Sequence, residues 1–343
     1  MDMPSAIRAM IARRDLSRDE MEDVMRLIMQ GEATPAQIGG FLVGLTMKGE
    51  TVAEIAAAAR VMRSLSTPVD VSVPHMVDIV GTGGDGSSLF NVSTASCFVV
   101  AEAGGHVAKH GNRSVTSRSG SADLLEAAGV VLDVSPACVA QCIRELGVGF
   151  MFAPRHHGSM KHAIGPRREM GVRTVFNLLG PLTNPAGAPN MVLGVYDPAW
   201  LVPMAEVMRE LGSRHVLVVH SDDGLDEISI AAPTSIAELR DGEVYSYRVA
   251  PEDFGLPRAP LDGLRVSGAE DSLALIRAAF AGTPGPAGDI LALNAGAALY
   301  AAGLCTSLIE GVARAGELLR SGAVAGRLSA LVERTHRCTE GAA

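Results

Sequence analysis

The chain has 343 residues, of which 48% are hydrophobic and 4% aromatic, and carries a formal net charge of −9. That is apolar material enough for one large domain or two moderate ones, and it excludes a disordered chain. The acidic balance speaks against general nucleic-acid binding, which needs a basic face, while leaving room for a phosphorylated metabolite held by local donors and a divalent cation. The first 65 residues read as helices. Ser17 before Glu20 and Thr51 before Glu54 have capping-box spacing, and Thr34-Pro35 is a helix start with proline at its first position. Ile38, Phe41, Leu42 and Leu45 share one stripe of that helix, as Val24, Leu27 and Ile28 do on the one before it. Pro68 to Pro74 reads as a linker into a different architecture.

From Met76 onward strands and helices alternate. Strands are expected at Val77–Val80, His106–Ala108, Phe150–Phe152, Val192–Val195 and Val216–Val219, with Val130–Leu132 extended. Helices are expected at Ser93–Ala103, Ala122–Ala128, Pro136–Leu146 and Ala199–Leu211. The alternation implies a largely parallel sheet covered by helices. Ile236–Arg240 and Val244–Val249, joined through Asp241-Gly242, form a hairpin signal, and the C-terminal third is helical in four segments near 268–281, 287–302, 305–320 and 324–335. The expected fold class is therefore α/β: a small N-terminal helical domain (1–68, completed by about residues 160–189) plus a large α/β domain (72–159 and 190–343) with a mainly parallel central sheet. The five cysteines are odd in number and scattered, and Cys138 and Cys142, one helical turn apart, read as core-facing thiols rather than a metal pair. No N-terminal apolar signal region and no uncharged run long enough to span a bilayer is evident, so the cytoplasm is the expected compartment.

Three segments carry chemistry. Gly81-Thr82-Gly83-Gly84-Asp85-Gly86 follows a strand and leads to Asn91, Ser93 and Thr94 where a helix should begin. Glycines let backbone N–H groups approach an anion, and a helix start adds donors and a favourable dipole. Gly81, Gly83 and Gly86 fit a dinucleotide fingerprint, but Asp85 inside the turn better suits a diphosphate already complexed with Mg²⁺. Lys109, His110, Asn112 and Arg113 around Gly111, followed by a hydroxyl-rich loop to Ser121, suit phosphate oxygens. Asp222-Asp223-Gly224-Leu225-Asp226-Glu227 follows a strand, and its adjacent carboxylates call for a cation of the Mg²⁺ type. A basic stretch from Arg155 through His156, His157, Lys161, His162, Arg167 and Arg168 to Arg173 offers arginines for a carboxylate. Zinc binding by His157 and His162 has no carboxylate or thiol partner in support.

These segments, together with Gly120-Ser121-Ala122-Asp123, Leu125-Glu126 and Asn177 to Pro185, resemble the anthranilate phosphoribosyltransferase family over nearly the full length of the chain. The resemblance implies a nucleoside-phosphorylase type of α/β domain, a cleft between it and the helical domain, and a homodimer formed through the helical domain. It implies Mg²⁺-dependent transfer of the phosphoribosyl group of phosphoribosyl pyrophosphate (PRPP) to the amine of anthranilate, with no nucleic-acid or membrane partner. By position, it assigns Gly81, Gly84, Asp85, Leu89, Asn91, Val92, Ser93, Thr94, Lys109, Asn112, Arg113, Ser117 and Ser121 to PRPP. Gly81, Asn112 and Arg167 fall to anthranilate; Ser93, Asp226 and Glu227 to Mg²⁺; Lys109 and His110 to catalysis. Two departures stand out: Leu89 replaces a residue that is often Thr or Ser, and Pro166 replaces a frequent Val and is expected to shift the helix start that presents Arg167. The competing readings are a pyrimidine-nucleoside phosphorylase of the same fold, a non-catalytic nucleic-acid-binding relative, and a dinucleotide oxidoreductase.

Overall fold

The structure is a computed structural model and describes residues 1–84, 86–114 and 118–340. Four helices, α1 (Met3–Ile11), α2 (Arg18–Met29), α3 (Pro35–Lys48) and α4 (Val52–Ser64), build the N-terminal lobe. Ser17, Thr34 and Thr51 each cap the third residue on, and Glu20, Gln37 and Glu54 bond back to the cap's backbone. Such a cap stabilises a helix start by about 1 kcal/mol. Glu54 also accepts the Leu16 N–H and pairs with Lys48, both at 2.9 Å, which ties the loops of this lobe together.

The sheet contains β1 (Met76–Gly81), β2 (His106–Gly111), β3 (Val148–Phe152), β4 (Asn190–Gly194), β5 (His215–Ser221), β6 (Thr234–Arg240) and β7 (Glu243–Val249), in the spatial order 3-2-1-4-5-6-7. The first five strands run parallel; β6 and β7 are antiparallel. Asp241 and Gly242, with φ of 54° and 83°, make the tight turn that their sequence predicts. One face is covered by α5 (Val92–Glu102), α6 (Ser121–Ala127), α7 (Pro136–Leu146) and four C-terminal helices: α12 (Ala269–Phe280), α13 (Pro286–Ala301), α14 (Leu308–Arg320) and α15 (Ala325–Glu340). Every residue of α13 from Ile290 to Ala301 is buried, and Gly296 lets α14 approach so closely that a Cβ there would lie 2.5 Å from Val312 Cα. Between β3 and β5 come α8 (Ala153–His156), α9 (Lys161–Met170), α10 (Phe176–Leu179) and α11 (Leu201–Glu210). Ala163, Phe176 and Leu179 share one apolar cluster with Phe41, Leu42 and Ile55 of the helical lobe and with Leu193 and Val218 on the other face of the sheet.

Val130–Leu132 lies outside the sheet, with the Val131 N–H donated to Thr335 Oγ1 of α15 at 3.1 Å. Two expectations are corrected. β2 extends to Gly111, so Lys109 and His110 are strand residues and not loop residues. Cys138 is not a free thiol: it forms a disulfide with Cys338, 200 residues later, whereas Cys97, Cys142 and Cys305 are free and buried. Among the described residues, no helix is long and apolar enough to cross a membrane.

Candidate active site

The strand order reverses at β1. The chain leaves it toward β2 and β3, then returns to lay β4 on its other side. Sheets of this kind bind ligands in the crevice outside the strand ends at such a point. Both strands end here on glycine, Gly81 opposite Gly194. A Cβ on Gly81 would lie 2.3 Å from Asp226 Oδ2, and one on Gly194 would lie 1.7 Å from the Asp226 carbonyl oxygen. The acidic loop after β5 is therefore seated directly on the strand ends. Asp226 Oδ2 accepts the Gly83 N–H at 2.9 Å, and Glu227 Oε1 accepts the Ser93 N–H at 3.1 Å. Gly83 and the start of α5 thus meet Asp226 and Glu227 at the strand ends. Asn294 of α13 braces it from behind, accepting the Ile228 N–H and donating to the Ile228 carbonyl, both at 2.9 Å.

Lys109, almost fully buried, donates to the Ile79 carbonyl and reaches Ser93 Oγ at 3.4 Å. Its ammonium therefore lies at the start of α5. His110 beside it is buried, and burial, followed by the influence of His157, His156 and Lys109, pushes it well below the usual histidine range. His157, 5.0 Å away between ring centroids, is pushed down to about 4 by burial and His156. Both shifts favour the neutral imidazole. His110 Nε2, His157 Nε2 and Thr94 Oγ1 are buried without a hydrogen-bond partner.

The remaining sequence-derived residues divide. Asn91 is not a side-chain cap; its Oδ1 accepts Ser119 Oγ and Ser272 Oγ at 3.0 and 2.8 Å, clasping the start of α5 to α12. Leu89 and Val92 are buried in the apolar core, so their side chains have no place in a polar ligand's shell. The Gly84 carbonyl is held by Arg173 at 2.5 Å, and Arg173 in turn lies 3.9 Å over the Tyr196 ring. Ser121 Oγ donates to the Asn112 carbonyl at 3.3 Å. Asn112 is exposed, and its Oδ1 accepts the Arg113 N–H at 2.8 Å. Asp85 and Ser117 lie outside the described residues.

Arg113 pairs with Asp123 at 3.2 Å and Glu126 at 2.7 Å of α6. These ion pairs lie at the surface, so Arg113→Ala is expected to lower the melting temperature by no more than about 3 °C, read by calorimetry. Pro166 does not begin a helix: α9 starts at Lys161 and runs through Pro166, which places Arg167 in its second half. There Arg167 stacks over the Phe176 ring at 5.0 Å, half-buried, with burial pulling its guanidinium below the ordinary range.

The comparisons with known proteins agree with this geometry. Residues 4–66 match the model described as "Glycosyl transferase family, helical bundle domain", and residues 73–325 match "Glycosyl transferase family, a/b domain". The chain is 66% identical to the anthranilate phosphoribosyltransferase of Thioalkalivibrio sulfidiphilus (strain HL-EbGR7), over 98% of this chain and 100% of that one. This chain belongs to the anthranilate phosphoribosyltransferase family. The family's crystal structure from Thermus thermophilus superposes with a TM-score of 0.91 at 47% identity, over 96% and 99% of the two chains. The Saccharomyces cerevisiae enzyme in complex with PRPP and Mg superposes with a TM-score of 0.87 at 26% identity, over 98% of each.

Two contributors escaped the reading of motifs. Arg173 was visible only as one of a basic run, and its grip on Gly84 depends on where the loop before α10 lands. Asp78 was passed over altogether. Its signal was there: a lone carboxylate in the apolar strand Met76–Val80, which must be paired to be buried.

Proposed function

We propose that this chain transfers the phosphoribosyl group of PRPP to the amine of anthranilate, releasing pyrophosphate, with Mg²⁺ as its metal. The observation that carries the reading is the convergence of the glycine turn and the α5 N-terminus with Asp226 and Glu227 at the β1/β4 switch point. Ser93, Asp226 and Glu227 offer oxygen alone, a donor set that fits Mg²⁺ which keeps its waters and shares a diphosphate. Among the described residues, no three acidic, histidine or cysteine side chains gather into a cage, so on this reading the diphosphate and water complete the coordination. Bound there, the cation supplies charge neutralisation for the departing diphosphate.

The chain's own residues do the rest. The N–H groups of Gly83 and Ser93 are donated to Asp226 and Glu227, which holds the glycine turn and the α5 start against the acidic loop. Lys109 adds a buried positive charge at the same helix start. The amine of anthranilate is uncharged at neutral pH, so no strong base is needed, and the neutral His110 and His157 fit a site that orients rather than deprotonates. The helical-lobe side supplies Arg167 for the carboxylate of anthranilate. Arg167→Ala is expected to raise the anthranilate KM about tenfold while moving the PRPP KM less than about twofold; an unmoved anthranilate KM would remove the assignment.

α1 and α3 leave Ile11, Val43 and Met47 exposed by 79, 41 and 71%, apolar surface of the kind that marks an interface, and we assign the homodimer contact to this side of the helical lobe. A cytoplasmic location suits phosphorylated substrates, whose charge keeps them from crossing a bilayer. The deciding experiment follows anthranilate fluorescence. It should fall only when PRPP and Mg²⁺ are both present, and a fall with either one alone, or none with both, would overturn the proposal.

A further inference from the structure

Consecutive residues of the glycine turn are held by different elements. The Thr82 N–H is donated to the Gly194 carbonyl at 2.9 Å, and Thr82 Oγ1 accepts the Tyr196 N–H at 3.0 Å, so β4 and its continuation carry the entry to the turn. The Gly83 N–H goes to Asp226 of the acidic loop at 2.9 Å. The Gly84 carbonyl accepts Arg173 Nη2 at 2.5 Å. Gly84 has a φ of 81°, and a Cβ there would lie 2.9 Å from that same nitrogen, so the backbone and the approach of the guanidinium both call for glycine. Arg173 reaches the turn from the helical-lobe side. Before it, α9 ends at Gly171 with a left-handed φ of 63°. After it, the Thr174 N–H is donated to Asn177 Oδ1 at 3.0 Å, and Val175 and Phe176 are buried in the apolar cluster shared with α3 and α4. The backbone that projects Arg173 is thus fixed on either side.

An exposed arginine samples many rotamers, and holding one of them costs entropy. The Tyr196 ring, whose centroid lies 3.9 Å from the guanidinium carbon, offsets that cost through a cation–π contact. Tyr196 therefore acts twice: its N–H fixes Thr82, and its ring steadies the side chain that fixes Gly84. We propose that Arg173 is the positioning residue of the diphosphate turn: lodged on Tyr196, it holds Gly84 from the helical-lobe side and sets the turn before substrate arrives. This rests on the reading that the turn receives the diphosphate of PRPP. Preorganisation lowers the cost of binding, so the loss of Arg173 falls on PRPP affinity. The saturated enzyme is affected less, because the bound diphosphate itself then seats the turn.

Isothermal titration with PRPP and Mg²⁺, in the absence of anthranilate, tests this without turnover. A native chain that fails to bind would overturn the proposed function, and this role with it. Arg173→Ala should weaken PRPP binding about tenfold, while kcat at saturating PRPP stays within about threefold and the anthranilate KM within about twofold, since Arg167 is untouched. Tyr196→Leu keeps an apolar side chain and removes the ring. It should weaken PRPP binding about fivefold in the otherwise native chain and less than about twofold in an Arg173→Ala background. Arg173→Lys keeps the charge without the planar fork and should recover only part of the loss. Unchanged PRPP binding in Arg173→Ala, equal effects of Tyr196→Leu in both backgrounds, or full recovery by lysine would overturn the role of Arg173 and leave the proposed function standing. Because Arg173 is exposed, its alanine variant should melt within about 2 °C of the native chain. A larger drop with parallel rises in both KM values would mark a fold-stabilising role and overturn the proposal as well.

Discussion

Asp226→Ala is expected to lower kcat by about 10²–10³-fold, the size of effect seen when one preorganised stabiliser of a transition state is removed. Two losses combine. The Gly83 N–H loses the acceptor that holds it in place at 2.9 Å, and the proposed Mg²⁺ site loses one of its two carboxylates. The damage should fall on the step in which pyrophosphate departs, so the anthranilate KM should move less than about threefold while the Mg²⁺ concentration for half-maximal rate rises. Asp226→Asn separates the two parts, because its Oδ1 can still accept the Gly83 N–H; it should retain the melting temperature of the native chain and still lose most of the rate. Steady-state kinetics across a Mg²⁺ series provides the measurement. Unchanged Mg²⁺ dependence in both variants would count decisively against a metal at this loop.

Gly194→Ala should be nearly as damaging for a different reason. Its φ is not in the left-handed region, so the backbone itself accepts alanine; the conflict is with a neighbour. The added Cβ would sit 1.7 Å from the Asp226 carbonyl oxygen, and a backbone atom cannot rotate away as the end of a side chain can. Either β4 shifts in a sheet buried on both faces, or the acidic loop lifts from the strand ends. Overpacking of this kind costs about 1–3 kcal/mol, and the lifted loop should lower kcat/KM for PRPP about 100-fold or more. Gly326→Ala in α15 is the control, since nothing lies within 4 Å of the new Cβ and alanine favours a helix over glycine by about 1 kcal/mol. Denaturant titration and kinetics on the two variants would distinguish a local steric clash from a general cost of losing glycine.

The elements whose causes are local were legible in the chain. Ser17 with Glu20 and Thr51 with Glu54 announce their helices because a cap is satisfied within one turn. Asp241-Gly242 announces its hairpin because two residues carry the whole turn. The apolar strands announce a sheet covered on both faces, and the glycine turn and acidic pair announce a diphosphate and a cation, because each packs its chemistry into a few adjacent residues. What the chain left open were choices between distant partners. The partners of Arg113, Asp123 and Glu126, were unreadable until α6 folded back to offer them. Cys138 looked like a core thiol until α15 brought Cys338 to it. Asp78 had no readable partner because Asn184 lies 106 residues away. Only the strand order, with β4 inserted beside β1 rather than beside β3, brings Gly194, Gly81 and Asp226 to one point. Propensity acts over a turn or two of backbone, whereas which strands become neighbours is decided by the burial of whole faces at once, and the site exists only where that decision places it.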